Sequence, residues 1–159
     1  MATATETSRV DRRGGGRKMI EHLLSERREM LILFCRVAGL DPFADRGASL
    51  DVLQAFCQIL VDYMAAAHFS LYQRIVEGTE RRQGVLALAD EIYGRIEVCT
   101  ETAIWFNDKY DHVRPETSAA DLHADLSVLG EALATRIELE DRLIGALSAR
   151  APSPAPEGA

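Results

Sequence analysis

Residues 55–72 read AFCQILVDYMAAAHFSLY, and the fold turns on this stretch. Fourteen of its eighteen residues are apolar, the exceptions being Gln58, Asp62, His68 and Ser70, and it holds neither Gly nor Pro. Leu53, Cys57, Leu60, Met64, Leu71 and Ile75 recur at three- and four-residue steps, the spacing of one α-helical face. Phe56, Ile59 and Tyr63 form a second apolar row about a quarter turn away. A helix apolar around most of its circumference is buried on most sides, so this is expected to be the central helix. Asp62 and His68 argue against a membrane span, because a carboxylate at mid-bilayer costs a few kcal/mol. These two side chains must be paired inside the protein or offered to a partner.

Working outward, the segments on either side repeat the helical pattern. Residues 1–16 are polar and Gly-rich, and the composition predicts a flexible tail. A first helix is expected from about Arg17 to Ala38, with Ile20, Leu23, Leu24, Met30, Leu31, Phe34, Val37 and Ala38 inward and Gly39 as its stop. Arg27 falls inside that stripe. LDPFADRG at 40–47 reads as a turn, and Ser49 as the N-cap of the central helix, which is expected to run to about Glu77. GTERRQG at 78–84 is a loop or the opening turn of a third helix carrying Leu88, Ile92, Ile96, Cys99, Ala103, Phe106 and Tyr110 on one face, with Trp105 off it. Ser118 and Asp121 have capping-box spacing ahead of a fourth helix, Ala119 to about Arg150. Its inward positions are Leu122, Leu126, Leu129, Leu133, Ile137, Leu143, Ile144 and Leu147. The tail APSPAPEGA at 151–159 is read as disordered. With no strand signal and no repeat, the expectation is an all-α, antiparallel up-down four-helix bundle over residues 17–150 as one domain.

Charge restricts the function. The 159-residue chain carries −7 overall; residues 1–18 contribute +3, leaving −10 on the body. An acidic body is unsuited to phosphate-neutralising nucleic-acid binding and suited to steering a basic partner. Cys35, Cys57 and Cys99 are far apart and fall at apolar helical positions, as buried thiols of a reducing cytosol do. The N-terminus has no apolar signal-peptide core, so a cytoplasmic location is expected.

Catalytic and metal chemistry find no support in the residues. Di-metal bundles use Glu-x-x-His pairs on facing helices, and the chain has none. His22, His68, His112 and His123 lack ligand spacing, and no phosphate-binding loop or nucleophile motif occurs. The expectation is no enzyme, no metal and no cofactor. Asp62 shares a helix face with Gln58, Ala66, Phe69 and Gln73, and an exposed Phe beside an acid is how an interface anchor looks. His68 lies on the Met64–Leu71 stripe, where a hydrogen-bonded core histidine is the commoner outcome. Of Tyr63, Phe69 and Tyr72, one or two are expected at the surface. Arg27, Arg136 and Glu140 point toward the bundle axis and are read as an interior ion-pair network. Glu131, Glu138 and Asp141 form either a solvated face or part of an acidic docking surface.

Two segments carry a resemblance. FCQILVDYMAAAHFSLYQRI (56–75) is similar to FCQ-x-LVDYxSAGHFxIYExI of the Rsd/AlgQ family, and LSVLGEALATRIELEDRLI (126–144) is similar to that family's LSxxGExLExRFxLEDxLI. Arg27 and the turn VAGLDP (37–42) resemble its LVGIKP region. The chain departs from the pattern at Ala66-Ala67 and Gln73, and matches less well after the central helix and around Trp105.

The resemblance implies a stoichiometric anti-sigma regulator without turnover. Such a protein grips the C-terminal domain of the primary sigma factor, which reads the −35 element, and keeps it from core polymerase and promoter. Alternative sigma factors then gain as growth slows into stationary phase. With the resemblance, Gln58, Asp62, Tyr63, His68, Phe69, Tyr72, Glu131, Glu138 and Asp141 become the partner-binding candidates, in a one-to-one complex of a protein that is a monomer or weak dimer when free. Two other readings remain open: a small-molecule sensor with Asp62, His68, Arg136 and Glu140 around a buried pocket, and an adaptor for a different protein.

Overall fold

The computed structural model describes residues 4–40, 49–112 and 119–148, with side chains over 15–40, 49–112 and 120–148, and there every element is helical. The helices are α1 (Ala4–Ala38), α2 (Leu50–Leu71), a single turn α3 (Gln73–Val76), α4 (Gln83–Tyr110) and α5 (Ala119–Ser148). Ser49 caps α2 as its residue type suggests, its Oγ accepting from the Val52 N–H at 3.2 Å. Gly39 and Gly78, just past α1 and α3, take φ of +68° and +73°, the left-handed stop that glycine adopts without strain. The 41–47 turn, the Ser118 cap and the 151–159 tail lie outside the described residues.

Two boundaries differ from the sequence expectation. Helix α1 begins at Ala4, thirteen residues before Arg17, and passes through the glycine run. Each glycine costs about 1 kcal/mol against alanine in a helix. Later elements lie against its described part: the Met19 carbonyl accepts from Ser70 Oγ at 2.9 Å, and Gly16 leaves room for the Arg74 guanidinium. The central helix breaks at Tyr72, where φ is −110°, so its last turn is the separate α3. The ring of Tyr72 is buried there against Tyr93 of α4, with centroids 5.6 Å apart.

Cross-helix contacts fix the relative directions. Ser70, late in α2, reaches Met19 of α1, while Phe56, early in α2, meets Phe34, late in α1. Lys109 ends α4 beside Asp125 of α5 at 2.7 Å, and Arg142 returns to Glu91 at 3.3 Å. Each of these pairs therefore runs in opposite senses. Edge-to-face contacts of Phe56 with Phe34 and Phe106, at 5.9 and 5.8 Å, carry the core from α1 through α2 to α4.

The inner rows of α2, α4 and α5 fall where the periodicity puts them: Leu60, Tyr63, Ile92, Phe106, Leu129 and Leu143 are fully or almost fully buried. Two expectations are corrected. Leu24 and Leu31 of α1 are exposed, because the core-facing line through Leu23, Arg27, Met30 and Val37 lies to one side of them. Helix α2 also leaves a whole face open, with Gln58, Val61, Asp62, Ala65 and Phe69 at the surface, rather than being covered on most sides. It is nevertheless the one described helix long and apolar enough to cross a membrane, and its inner face packs inside the protein.

Gly130 of α5 marks a close approach: a Cβ there would meet Phe34 Cζ at 3.0 Å, whereas one at Gly94 would meet nothing within 4 Å. Gly94→Ala should therefore raise stability by about 0.5–1 kcal/mol, the helix-propensity gain. Gly130→Ala should gain clearly less, because Phe34 must move. Denaturant midpoints compare the two, and equal gains would mean that Phe34 is not held against α5.

Candidate protein-binding site

At the centre of the molecule all four long helices meet through one carboxylate. Glu140 is fully buried, and its Oε1 accepts from Arg27 Nη2 of α1 at 3.3 Å and from the Tyr63 hydroxyl of α2. Its Oε2 accepts from Arg136 Nε, one turn earlier on α5, at 3.2 Å. Arg136 continues across the interior to α4, donating to Thr100 Oγ1 and to the Ile96 carbonyl at 3.5 Å, with its guanidinium 6.0 Å from the centre of the Tyr63 ring. Arg27 also donates to Asp141 Oδ1 at 2.6 Å.

Burial opposes the Arg27 charge. The Asp141 hydrogen bond and the nearby negative groups outweigh it, so the guanidinium pKa is raised. Burial, then Glu140, pushes the Tyr63 hydroxyl up, leaving it a neutral donor. The expected network of Arg27, Arg136 and Glu140 is present, and it includes Tyr63, Thr100 and Asp141 as well. Asp141, expected on a solvated face or an acidic docking surface, is half exposed but committed to Arg27.

The open face of α2 carries a different set. Gln58 Nε2 donates to Asp62 Oδ1 at 3.2 Å one turn on, and Phe69 lies two turns beyond Asp62, 55% exposed. His68 is at the surface rather than in the core: its ring meets Phe69 edge-on at 5.7 Å and stacks on Tyr72 at 6.4 Å. Its position at the margin of the inner stripe turns it outward past α4. Tyr72 itself is buried, as is Tyr63, so of the three aromatics only Phe69 is free for contact. The Tyr72 hydroxyl has no hydrogen-bond partner among the described residues, and burial raises its pKa to about 12.

Glu131 and Glu138 are exposed on α5. Helix α5 meets α2 through the interior, Tyr63 to Glu140, so the outer residues of the two helices point to different sides. These acids do not share a face with Asp62. Nor do Asp62 and His68 converge with Arg136 and Glu140: the first two are outside and the second two inside, so the four line no common pocket.

No group of three His, Cys, Asp or Glu able to hold a metal occurs among the described residues. Cys57 and Cys99 are buried and Cys35 half-buried; burial raises the Cys57 thiol to about 12, far from thiolate formation at neutral pH.

Two linkages lay outside the sequence reading. Buried Glu80, in the loop before α4, binds Arg82 through its guanidinium at 2.9 Å and its N–H at 3.1 Å, and Arg82 donates to the Leu147 carbonyl near the end of α5. These partners hold the Glu80 carboxyl below its ordinary pKa. Asp125 takes Lys109 and the Tyr110 hydroxyl, joining the end of α4 to the start of α5. The acid set directly before two arginines in the TERR run, 79–82, is the one visible signal for the first. Nothing in local spacing signals the second.

Among the described residues the helices enclose one carboxylate-centred interior and leave open a helix face bearing Asp62 and Phe69. Comparison with known proteins gives the family. The family described as "Regulator of RNA polymerase sigma(70) subunit, Rsd/AlgQ" matches residues 1–148, and the chain belongs to it. It is 34% identical over 141 residues to the "Regulator of sigma D" of Yersinia enterocolitica (serotype O:8 / biotype 1B), covering 86% of this chain and 84% of that protein. The proteins of the same name from Yersinia pestis bv. Antiqua (strain Angola) and Enterobacter sp. (strain 638) are 35% and 31% identical, over 86% of this chain and 83% and 84% of theirs. No solved structure matches the chain significantly.

The interior predicts an order of mutational cost. Arg27→Ala should destabilise by about 2–4 kcal/mol, because a buried pair loses one member. Glu140→Gln should cost more, since two buried guanidinium groups then share no carboxylate. Chemical denaturation of both variants tests this, and an Arg27→Ala change of about 0.5 kcal/mol, as at an exposed residue, would sink it.

Proposed function

We propose that the protein is an anti-sigma regulator that binds the C-terminal, −35-reading domain of the primary sigma factor one-to-one and keeps it from core polymerase and promoter. The observation that carries this reading is the open face of α2, where Gln58, Asp62 and Phe69 align on the segment through which the chain resembles its family. An exposed Phe beside an ordered carboxylate supplies an apolar anchor and an acceptor for a basic side chain. His68, in ring contact with Phe69, belongs to the same surface. The −10 body suits a partner that reads DNA with basic groups. In this reading the four long helices form an antiparallel up-down bundle, the protein works in the cytoplasm without a cofactor or turnover, and withdrawal of the primary sigma factor favours alternative ones.

Calorimetric titration against the isolated sigma C-terminal domain should give a one-to-one complex burying about 1,600 Å² in total. Its association should slow as salt rises. Asp62→Ala should weaken it by about 1–3 kcal/mol while melting temperature and helical content stay nearly unchanged, since among the described residues Asp62 bonds only to exposed Gln58. No heat and no co-elution at tens of micromolar would refute the proposal.

A further inference from the structure

A second surface lies along the seam of α4 and α5. The Lys109–Asp125 and Arg142–Glu91 ion pairs, at 2.7 and 3.3 Å, set the register of these helices. One turn before Lys109 is Trp105, and three residues after Asp125 is Val128, so in opposed helices these two come level with each other across the seam. Val98 stands two turns before Trp105 on the same side of α4. All three are open to solvent, Trp105 at 44%, Val98 at 61% and Val128 at 52%. Lys109 Nζ lies 5.5 Å from the centre of the Trp105 ring, which holds the indole in place while its outer side stays bare. A large, pre-positioned, exposed Trp is the residue most often found carrying an interface.

Charge identifies the occupant. Around this strip stand Glu97, Glu101 and Asp108 on α4 and Glu131 and Glu138 on α5, all exposed and none in an ion pair or side-chain hydrogen bond among the described residues. Of the described cations on this side, Lys109 and Arg142 are neutralised by Asp125 and Glu91, leaving Arg95 against five carboxylates. A second copy of the chain would set acids against acids across a two-fold contact. Anionic lipid and nucleic acid would be repelled in the same way. We propose that this seam binds a basic amphipathic helix of a protein partner, its apolar side over Trp105 and Val128 and its Lys or Arg side chains on the flanking acids. The site is separate from the Asp62 face of α2, so both can be filled at once.

Trp105 is the only tryptophan in the chain, so it reports its own occupancy. The probe is a Trp-free amphipathic peptide of Leu and Lys, about 18 residues long and so about five helical turns. Titrating it into the full chain should shift the emission to the blue, with affinity falling as salt rises. Glu101→Lys together with Glu131→Lys should weaken binding at least about tenfold. Asp62→Ala should leave it unchanged, and saturating sigma C-terminal domain should not compete. An unshifted emission, unaltered affinity in the charge-reversed variant, or loss of the response in Asp62→Ala would overturn the proposal. So would a blue shift that grows with protein concentration alone, which would assign the seam to self-association. Failure of sigma binding with the peptide response intact would count against the α2 face only.

Discussion

The structure depends on how Glu140 is satisfied. A fully buried carboxylate is tolerated only if its lone pairs are taken, and here the donors come from α1, α2 and α5, with Arg136 passing the constraint on to α4. Apolar rows such as Leu60, Ile92 and Leu129 supply most of the burial energy, but they are non-directional and would accept a neighbouring helix slightly rotated or slipped. The Arg27, Tyr63 and Arg136 bonds would not. Replacing such a centre by apolar side chains of matching shape can preserve or raise stability; what the charges add here is one register for four helices.

The same logic explains what the sequence did and did not disclose. Charged residues at inward helical positions are conspicuous, so Arg27, Arg136 and Glu140 could be placed together from periodicity alone. Thr100 and Tyr63 could not be assigned their roles, because Thr and Tyr are unremarkable on either side of a helix and only the fold brings them to the charges. Asp141 adjoins Glu140 but lies about 100° round the helix, which reads as surface until Arg27 is known to span both. A glycine run looks like a boundary locally, whereas in the structure α1 passes through it and Arg74 of a later element lies against Gly16. For the exposed set, spacing found the Gln58–Asp62–Phe69 face of α2, and helix composition overstated how much of α2 is covered. A helix this apolar can still leave one face to solvent.

Family membership and geometry bear on different parts of the protein. The two family-like segments contribute Tyr63, Arg136 and Glu140 to the interior and Asp62 and Phe69 to the open face of α2. One short stretch of α2 therefore holds the scaffold with alternate side chains and presents a surface with the others. If the proposed sigma contact holds, substitutions at adjacent positions there act on different properties, stability for Tyr63 and association for Asp62. Trp105, in a stretch where the resemblance is weaker, takes no part in the interior network, although Thr100, five residues earlier on α4, does.

The reach of the central contact along the chain has a consequence for how the protein is made. Arg27 and Glu140 are 113 residues apart, and Tyr63 and Glu140 are 77 apart. While a ribosome is still extending α4, Arg27 and Tyr63 have already been made, and the carboxylate they need does not yet exist. The α1–α2 hairpin can associate early through Phe34 and Phe56, but its inner polar groups stay hydrated until α5 arrives. Completion of the fold is thus tied to the arrival of α5, and a chain interrupted before Glu140 would leave Arg27 hydrated and without its counter-charge.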